Sequence, residues 1–417
     1  MNLSLRNKKL LGINGLGRIG KLLLWNQVHL RHFDGIIVNL GRDVGKNLDD
    51  LIQVIENDST YGSIHKFLFG MVGRKAEIKV LDAKKPILEI EGMPIKILRQ
   101  ERDPKNINWL NEGVRIVVDC TGSFTDPSIT PEAGKPCLRG HLEAGALKVI
   151  ASSPFKSKSG ILTIPDDATT MIYGINHLGY NPRQHHIISA ASCTTTGLAH
   201  LIKPLLENKE TANIMTASMS TIHAATNTQS ILDSVPKAGA KDLRKSRSVL
   251  NNIILSTTGV TKALELVMPQ IKSIGFMADS VRIPITTVSL INLNVTFHTR
   301  MNDIGQPSVT RKLLNQIYKD AAEGPQKGLL VYSERQNVSA DIIGSLAAAT
   351  LEAHETHTRT SFIPIPTQYF EEAGVKAKKE IRMPVTHAKI FGWYDNELGS
   401  YTNSLSKLVN YIEESSS

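Results

Sequence analysis

The sequence predicts two units: an α/β unit on a mostly parallel sheet, followed by an α+β unit on a mostly antiparallel sheet. Three observations predict this. First, the short apolar run Leu10-Leu11-Gly12-Ile13-Asn14 enters the turn Gly15-Leu16-Gly17-Arg18-Ile19-Gly20. An apolar helical stripe through Leu22, Leu23, Trp25 and Val28 comes next. Second, further buried-strand patterns recur at Gly35–Leu40, Arg115–Cys120 and Leu147–Ala151. Third, beyond Cys193 the chain turns to long β-rich runs, Ala212–Ile222 and Val281–Phe297. These place a first domain at 1–192 and a second at 193–395. A closing helix at about 396–417 packs back on the first, regular over Asn403–Ile412 and frayed over Glu413–Ser417. A chain of 417 residues is long enough for two such cores.

A strand, a G-x-G-x-x-G turn, a helix and a second strand within about 30 residues form a Rossmann-type context for a dinucleotide. The glycines let the chain turn tightly and let a pyrophosphate approach the helix N-terminus. Gly15, Gly17, Arg18, Ile19 and Gly20 are therefore candidate cofactor contacts. Parallel strands present ligands at their C-terminal ends. Thr121, Gly122 and Ser152, at the tips of the strands ending near Cys120 and Ala151, join that set, although ordinary turn chemistry explains such residues equally well.

Cys193 sits between the apolar pair Ile187-Ile188 and the helical pattern Leu198-Ala199-His200-Leu201-Ile202. A thiol at a helix N-terminus meets unpaired N–H groups and the positive end of the helix dipole, which favour the thiolate. His223 ends the β-like run Ser220-Thr221-Ile222 and is a candidate base for that thiol. Cys120 and Cys137, the other two cysteines, are read as structural thiols, and the trio builds no disulfide framework.

A net charge of +9 suits an anionic partner such as a dinucleotide or a phosphorylated small molecule. The basic clusters Lys237–Arg247 and Lys376–Arg382 do not interleave aromatics, so nucleic acid is not indicated. No apolar run approaches the roughly 20 residues that span a bilayer, and the N-terminus does not read as a signal peptide. A cytoplasmic location is the expectation.

Six motifs occur in order: Gly12–Gly20, Gln100-Glu101-Arg102-Asp103-Pro104, Ser192-Cys193-Thr194-Thr195, His223-Ala224, Thr257-Thr258-Gly259 and Trp393-Tyr394-Asp395-Asn396-Glu397. Together, over about residues 10–410, they resemble phosphorylating glyceraldehyde-3-phosphate dehydrogenase. The resemblance implies oxidation of a phosphorylated aldehyde with NAD or NADP, through a thioester on Cys193 with His223 as acid–base partner. It implies Arg102 and Asn396 as cofactor contacts, Asn396 holding the nicotinamide carboxamide. Thr226 and Arg282 then face the substrate phosphate. Ser192, Thr194, Arg244, Thr258 and Gly259 stand around this site and that of inorganic phosphate. It also implies a homotetramer. Metal is not expected; His354 and His357 lack further ligands at suitable spacing.

Four departures from the family pattern stand out. The acid that reads the adenosine ribose, roughly 20 residues past the glycines, is missing: Asn39-Leu40-Gly41-Arg42 stands there. Arg42 would pair with a 2′-phosphate, so NAD and NADP both stay open, and Asp43 is close enough to bend back to the ribose. A second cysteine expected after Cys193 is replaced in Thr195-Thr196-Gly197. The segment Gly399-Ser400-Tyr401-Thr402-Asn403 carries one extra residue. Extra length also appears at 124–141 and 353–389, the latter read as a polar loop. Two alternatives accompany this reading: an erythrose-4-phosphate dehydrogenase, and a non-catalytic nucleic-acid-binding or scaffold relative.

Overall fold

The protein, seen in a computed structural model, is described over residues 8–99, 101–157, 162–376 and 381–416. Gln100, the lysines Lys378 and Lys379 and the terminal Ser417 lie outside the described residues. Two compact units divide the chain: Met1–Thr196 with Glu397–Ser417, and Gly197–Asn396.

The first unit holds β1 (Leu10–Asn14), β2 (Gly35–Asn39), the two-residue pair β3 (Asn57–Asp58) and β4 (Gly62–Ser63), β5 (Ile78–Asp82), β6 (Ile87–Ile90), β7 (Met93–Leu98), β8 (Ile116–Asp119), β9 (Lys148–Ala151), β10 (Ala168–Thr170) and β11 (Ile187–Ser189). Nine of them form one sheet in the order β10-β11-β9-β8-β1-β2-β7-β6-β5. It is parallel from β10 to β7, and β6 and β5 extend it antiparallel. The central parallel strands β1, β2 and β8 are buried throughout and nearly all apolar, ending in Asn14, Asn39 and Asp119. Leu11, Ile13, Ile36, Val38, Val118 and Ile150 pack with Leu22, Leu23, Trp25 and Val28 of the helix Arg18–Leu30.

The C-terminal helix, Ser404–Ser416, adds Leu405, Leu408, Val409 and Ile412 to the same core. Its last turns are ordered, contrary to the frayed tail expected at Glu413. Glu413 pairs with Lys9 (2.6 Å) and His32 (3.1 Å), and Tyr180 bonds Ser416 (3.0 Å). The extra residue near 400 is absorbed as a π-helical turn, Leu398–Asn403, which widens the helix by one residue and keeps the register of the turns beyond it.

In the second unit, β12 (Ile214–Ala224), β13 (Ile254–Ser256), β14 (Gly275–Ile283), β15 (Ser289–His298), β16 (Leu330–Ser333), β17 (Ala349–Glu352), β18 (His357–Ile365) and β19 (Ile381–Tyr394) form one sheet. Its order is β13-β14-β12-β15-β19-β17-β16, with β18 pairing β19. Only β12–β14 and β16–β17 run parallel. The continuous run expected at Val281–Phe297 is two strands, broken at Pro284–Val288. Pro284 lacks a ladder N–H, and Val288 lies at φ +64°. The polar loop expected at 353–389 is instead a hairpin, β18 pairing β19 from His357–Lys389 to Ile365–Ile381. Its β-branched and aromatic residues, Thr358, Thr360, Phe362 and Ile363, favour that strand.

The helix Cys193–Glu207 carries Pro204 in its interior. Proline cannot donate to the carbonyl of His200, and Gln326 Nε2 does so instead at 3.0 Å.

The glycine turn gives a test. A Cβ on Gly20 would lie 2.0 Å from the Gly15 carbonyl oxygen, which is backbone and cannot rotate away. Gly20→Ala should cost roughly 1–3 kcal/mol or more, read as a lower urea midpoint. A Cβ on Gly17 meets nothing within 4 Å, so Gly17→Ala should leave the midpoint in place. Equal losses from both would contradict this packing.

Candidate active site

Cys193 is the first residue of its helix and is half-buried. Ser192 caps that helix: its Oγ accepts from Thr195 N (3.2 Å) and its carbonyl from Thr196 N (2.8 Å). The preceding Ala191 is held at φ +55°, a conformation uncommon outside glycine. Two groups of the π-turn hold this corner. Ser400 Oγ donates to the Cys193 carbonyl (2.7 Å), and the Tyr401 hydroxyl donates to the Ala191 carbonyl (3.2 Å). Thr194 Oγ1 lies 4.0 Å from Cys193 Sγ. The other thiols differ: burial and the Asp119 carboxylate push Cys120 up, and burial pushes Cys137 up. Both are therefore poor nucleophiles.

In the second unit β12 places His223 at its C-terminal end, only 5% exposed. The Ala224 carbonyl lies 2.7 Å from His223 Nδ1 and accepts from Arg282 Nη1 at 3.2 Å. Of the two ring nitrogens, Nδ1 meets the Ala224 carbonyl, an acceptor, and Arg282 Nη1, a donor only, and Nε2 meets Asn396. Asn396 Nδ2 stands 3.3 Å from that Nε2. The Tyr394 ring meets the imidazole edge-on, and its hydroxyl bonds Thr221 Oγ1 at 2.7 Å. Burial, and then the Arg282 guanidinium 2.5 Å from Nδ1, lower the His223 pKa to about 3, so the imidazole is neutral.

The other candidates of this unit stand on nearby loops, each with a local partner. Thr226 gives its N–H and its hydroxyl to Gln229 Oε1, both at 2.8 Å. Thr258 Oγ1 accepts from Val260 N, and Gly259 is the N-cap of the helix Val260–Val267. Arg244 is exposed and bonded to Asp242.

On the first unit's sheet, Gly15 turns the chain at φ +96°, and Gly17 caps the helix Arg18–Leu30 without a side-chain cap. Its first-turn N–H groups thus suit an anion. Arg18 pairs with Glu397 (3.0 Å) and bonds Thr60. Thr121 is fixed by Asp119, whose Oδ1 accepts from Thr121 N (3.1 Å) and Oγ1 (2.7 Å). The other oxygen of Asp119 accepts from Asn14 Nδ2 (2.8 Å) and contacts His141 Nε2 (3.1 Å). Asn39 turns inward, giving its amide to Asn14 and to the Glu101 carbonyl. At the ribose corner after β2 the first carboxylate is the exposed Asp43. Leu40 stands there with Arg42 exposed, and Arg102 Nε donates to the Gly41 carbonyl. Gly122 follows Thr121, and Ser152 follows β9 with its N–H on the Asp119 carbonyl.

Residues 9–127 match the family model of the glyceraldehyde 3-phosphate dehydrogenase NAD binding domain, and residues 192–369 match the C-terminal domain of the same family. Glyceraldehyde-3-phosphate dehydrogenase of Geobacillus stearothermophilus is 34% identical over 401 residues, 96% of this chain and 97% of that protein. The Streptomyces coelicolor enzyme is 34% identical over 404 residues, and the Sclerotinia sclerotiorum enzyme 32% over 403. The chain belongs to the glyceraldehyde-3-phosphate dehydrogenase family.

Both domains of the family are therefore present, an NAD-binding domain and a catalytic-type C-terminal domain. Among the residues named from sequence, the structure brings Arg282 and Asn396 within hydrogen-bond reach of His223. It leaves Arg244 on an exposed turn. Sequence reasoning missed Asp119, Asn14 and Asn39, although a carboxylate two residues before a strand-tip Thr-Gly was visible. It also missed Ser289, which gave no local signal.

The neutral His223 has a stability consequence. Its folded pKa, about 3, lies below the ordinary 6.5, so between those values the unfolded chain holds a proton the folded chain lacks. Stability is then lost as pH falls from 6.5 towards 3, at up to about 1.4 kcal/mol per pH unit from this group. His223→Gln should flatten that limb in pH-dependent urea titrations. An unchanged slope would contradict a buried neutral imidazole.

Proposed function

We propose that the protein oxidises glyceraldehyde 3-phosphate to an acyl phosphate with NAD and inorganic phosphate. The observation that carries this is the buried neutral His223 beside Arg282 and Asn396, in a family member whose Cys193 opens a capped helix. The Cys193 thiolate attacks the aldehyde carbon, and the oxyanion is stabilised by the Cys193 N–H at the helix N-terminus. His223 takes the thiol proton, returns it to the oxyanion to give the hemithioacetal hydroxyl, and takes it back as the hydride leaves. NAD supplies the hydride acceptor, leaving a thioester on Cys193. Phosphate then attacks the thioester carbon and releases the thiolate.

Thr226 and Arg282 hold the substrate phosphate through hydroxyl and forked guanidinium donors. Ser192, Thr194, Arg244, Thr258 and Gly259 surround the two anion sites. Gly15, Gly17, Arg18, Ile19, Gly20, Arg102, Thr121, Gly122 and Ser152 hold the dinucleotide, and Asn396 holds its carboxamide. The uncapped helix N-terminus at Gly17 and the open space at its Cβ position support this fit.

The corner after β2 supports use of NADP beside NAD. An apolar Leu40 offers nothing to repel a 2′-phosphate, and Arg42 stands close to pair with it. The loop carrying Ile231 (69% exposed) and Val235 (91% exposed) supports a homotetramer that covers it.

Cys193→Ser should lower kcat by about a thousandfold or more in cofactor reduction with glyceraldehyde 3-phosphate and phosphate. A variant as active as the parent would refute the mechanism. Parallel turnover of erythrose 4-phosphate separates that substrate, and inactivity with both would favour a scaffold role. Leu40→Asp should cut kcat/KM for NADP at least tenfold while sparing NAD. Equal loss with both cofactors, or a parent that ignores NADP, would sink the specificity claim.

A further inference from the structure

Ser289 lies behind the proposed site and is completely buried. Its Oγ accepts from Ala224 N at 3.0 Å, so it fixes the peptide that follows His223. The same Oγ sits 2.9 Å from Asn396 Oδ1 and 2.8 Å from Asn396 Nδ2, holding the carboxamide side-on. That carboxamide reaches His223 Nε2 at 3.3 Å. One hydroxyl thus ties the base's backbone to the amide that touches its reacting nitrogen. The residue before it, Val288, is buried at φ +64°, an outlier for a β-branched side chain. Such strain persists where surrounding structure over-determines it, and here it starts β15 with Ser289 opposite Tyr394.

We propose that Ser289 is a positioning residue that aligns the Asn396 carboxamide with the His223 imidazole as one unit. It touches neither substrate nor cofactor and acts through those two residues. This rests on the assignment of His223 as base under the proposed function. The groups facing His223 are Arg282 from β14, Tyr394 from β19 and Asn396. Asn396 Nδ2 reaches Nε2, and Ser289 Oγ bonds both ends of that carboxamide. A donor aimed at Nε2 favours the neutral ring, so losing its alignment makes the ring easier to protonate.

The test compares Ser289→Ala and Ser289→Cys with Thr386→Val. The last removes a buried hydroxyl bonded to Thr299 (2.7 Å) and Thr360 (2.8 Å) elsewhere on the sheet. Ser289→Ala should lower kcat by about 100-fold, with KM for the aldehyde phosphate nearly unchanged. The NMR titration of the His223 imidazole should move upward by roughly half a pH unit. Ser289→Cys, which keeps a weak donor, should fall between Ser289→Ala and the parent. Thr386→Val should lower Tm without moving kcat or the titration. The inference is overturned if Ser289→Ala leaves both readouts at the parent values, or loses no more activity than Thr386→Val at equal loss of Tm. Failure of the proposed function looks different: an active Cys193→Ser with the His223 titration still shifted by Ser289→Ala.

Discussion

The peptide of Ala224 is the constraint on which the second unit's chemistry depends. Its N–H is held by Ser289, and its carbonyl receives Arg282 and lies against His223 Nδ1. β12 reaches this point between β14, paired with it through Ala224, and β15, paired with it through Ile222. A side chain at the end of a strand paired on both sides has little freedom. The imidazole is therefore placed by the strand pairing together with the Ser289 and Arg282 side chains that hold the Ala224 backbone. Burial and the neighbouring guanidinium then keep it uncharged.

The first unit uses the same device with different residues. Asp119 is buried, and its carboxylate is surrounded by Thr121, Asn14 and His141. A buried carboxylate is tolerable only when its oxygens are satisfied, and here the donors include the tips of β1 and β8. Thr121 and the turn after Asn14 are thereby tied to one anion. Trp109 Nε1 donates to His141 Nδ1, which fixes that ring as the Nε2–H tautomer. The loop tips that the glycine turn leaves open are thus rigid.

Much of this was legible in the sequence because it rests on local patterns. The β1–glycine turn–helix unit, the capped cysteine and the strand ending in His223 each arise from composition and spacing over a few residues. The hairpin of β18 and β19 was not legible. Its strands are separated by a polar helix-bearing tip, and pairing across that distance leaves no local mark. The π-turn was visible only as one residue too many. The break at Pro284–Val288 escaped because valine and isoleucine on both sides read as one strand, although Pro284, which has no ladder N–H, marked it locally. Ser289, Asn14 and Asn39 are ordinary polar residues until folding brings their partners to them.

Central to the proposed mechanism is an acyl group carried on Cys193. The most direct measurement is intact-protein mass spectrometry after mixing the protein with glyceraldehyde 3-phosphate and NAD in the absence of phosphate, with peptide mapping of the product. The mechanism predicts a phosphoglyceroyl adduct on the Cys193 peptide that disappears when phosphate is added. An unmodified Cys193 with cofactor reduced in the same mixture, or an adduct on Cys120 or Cys137 instead, would contradict it.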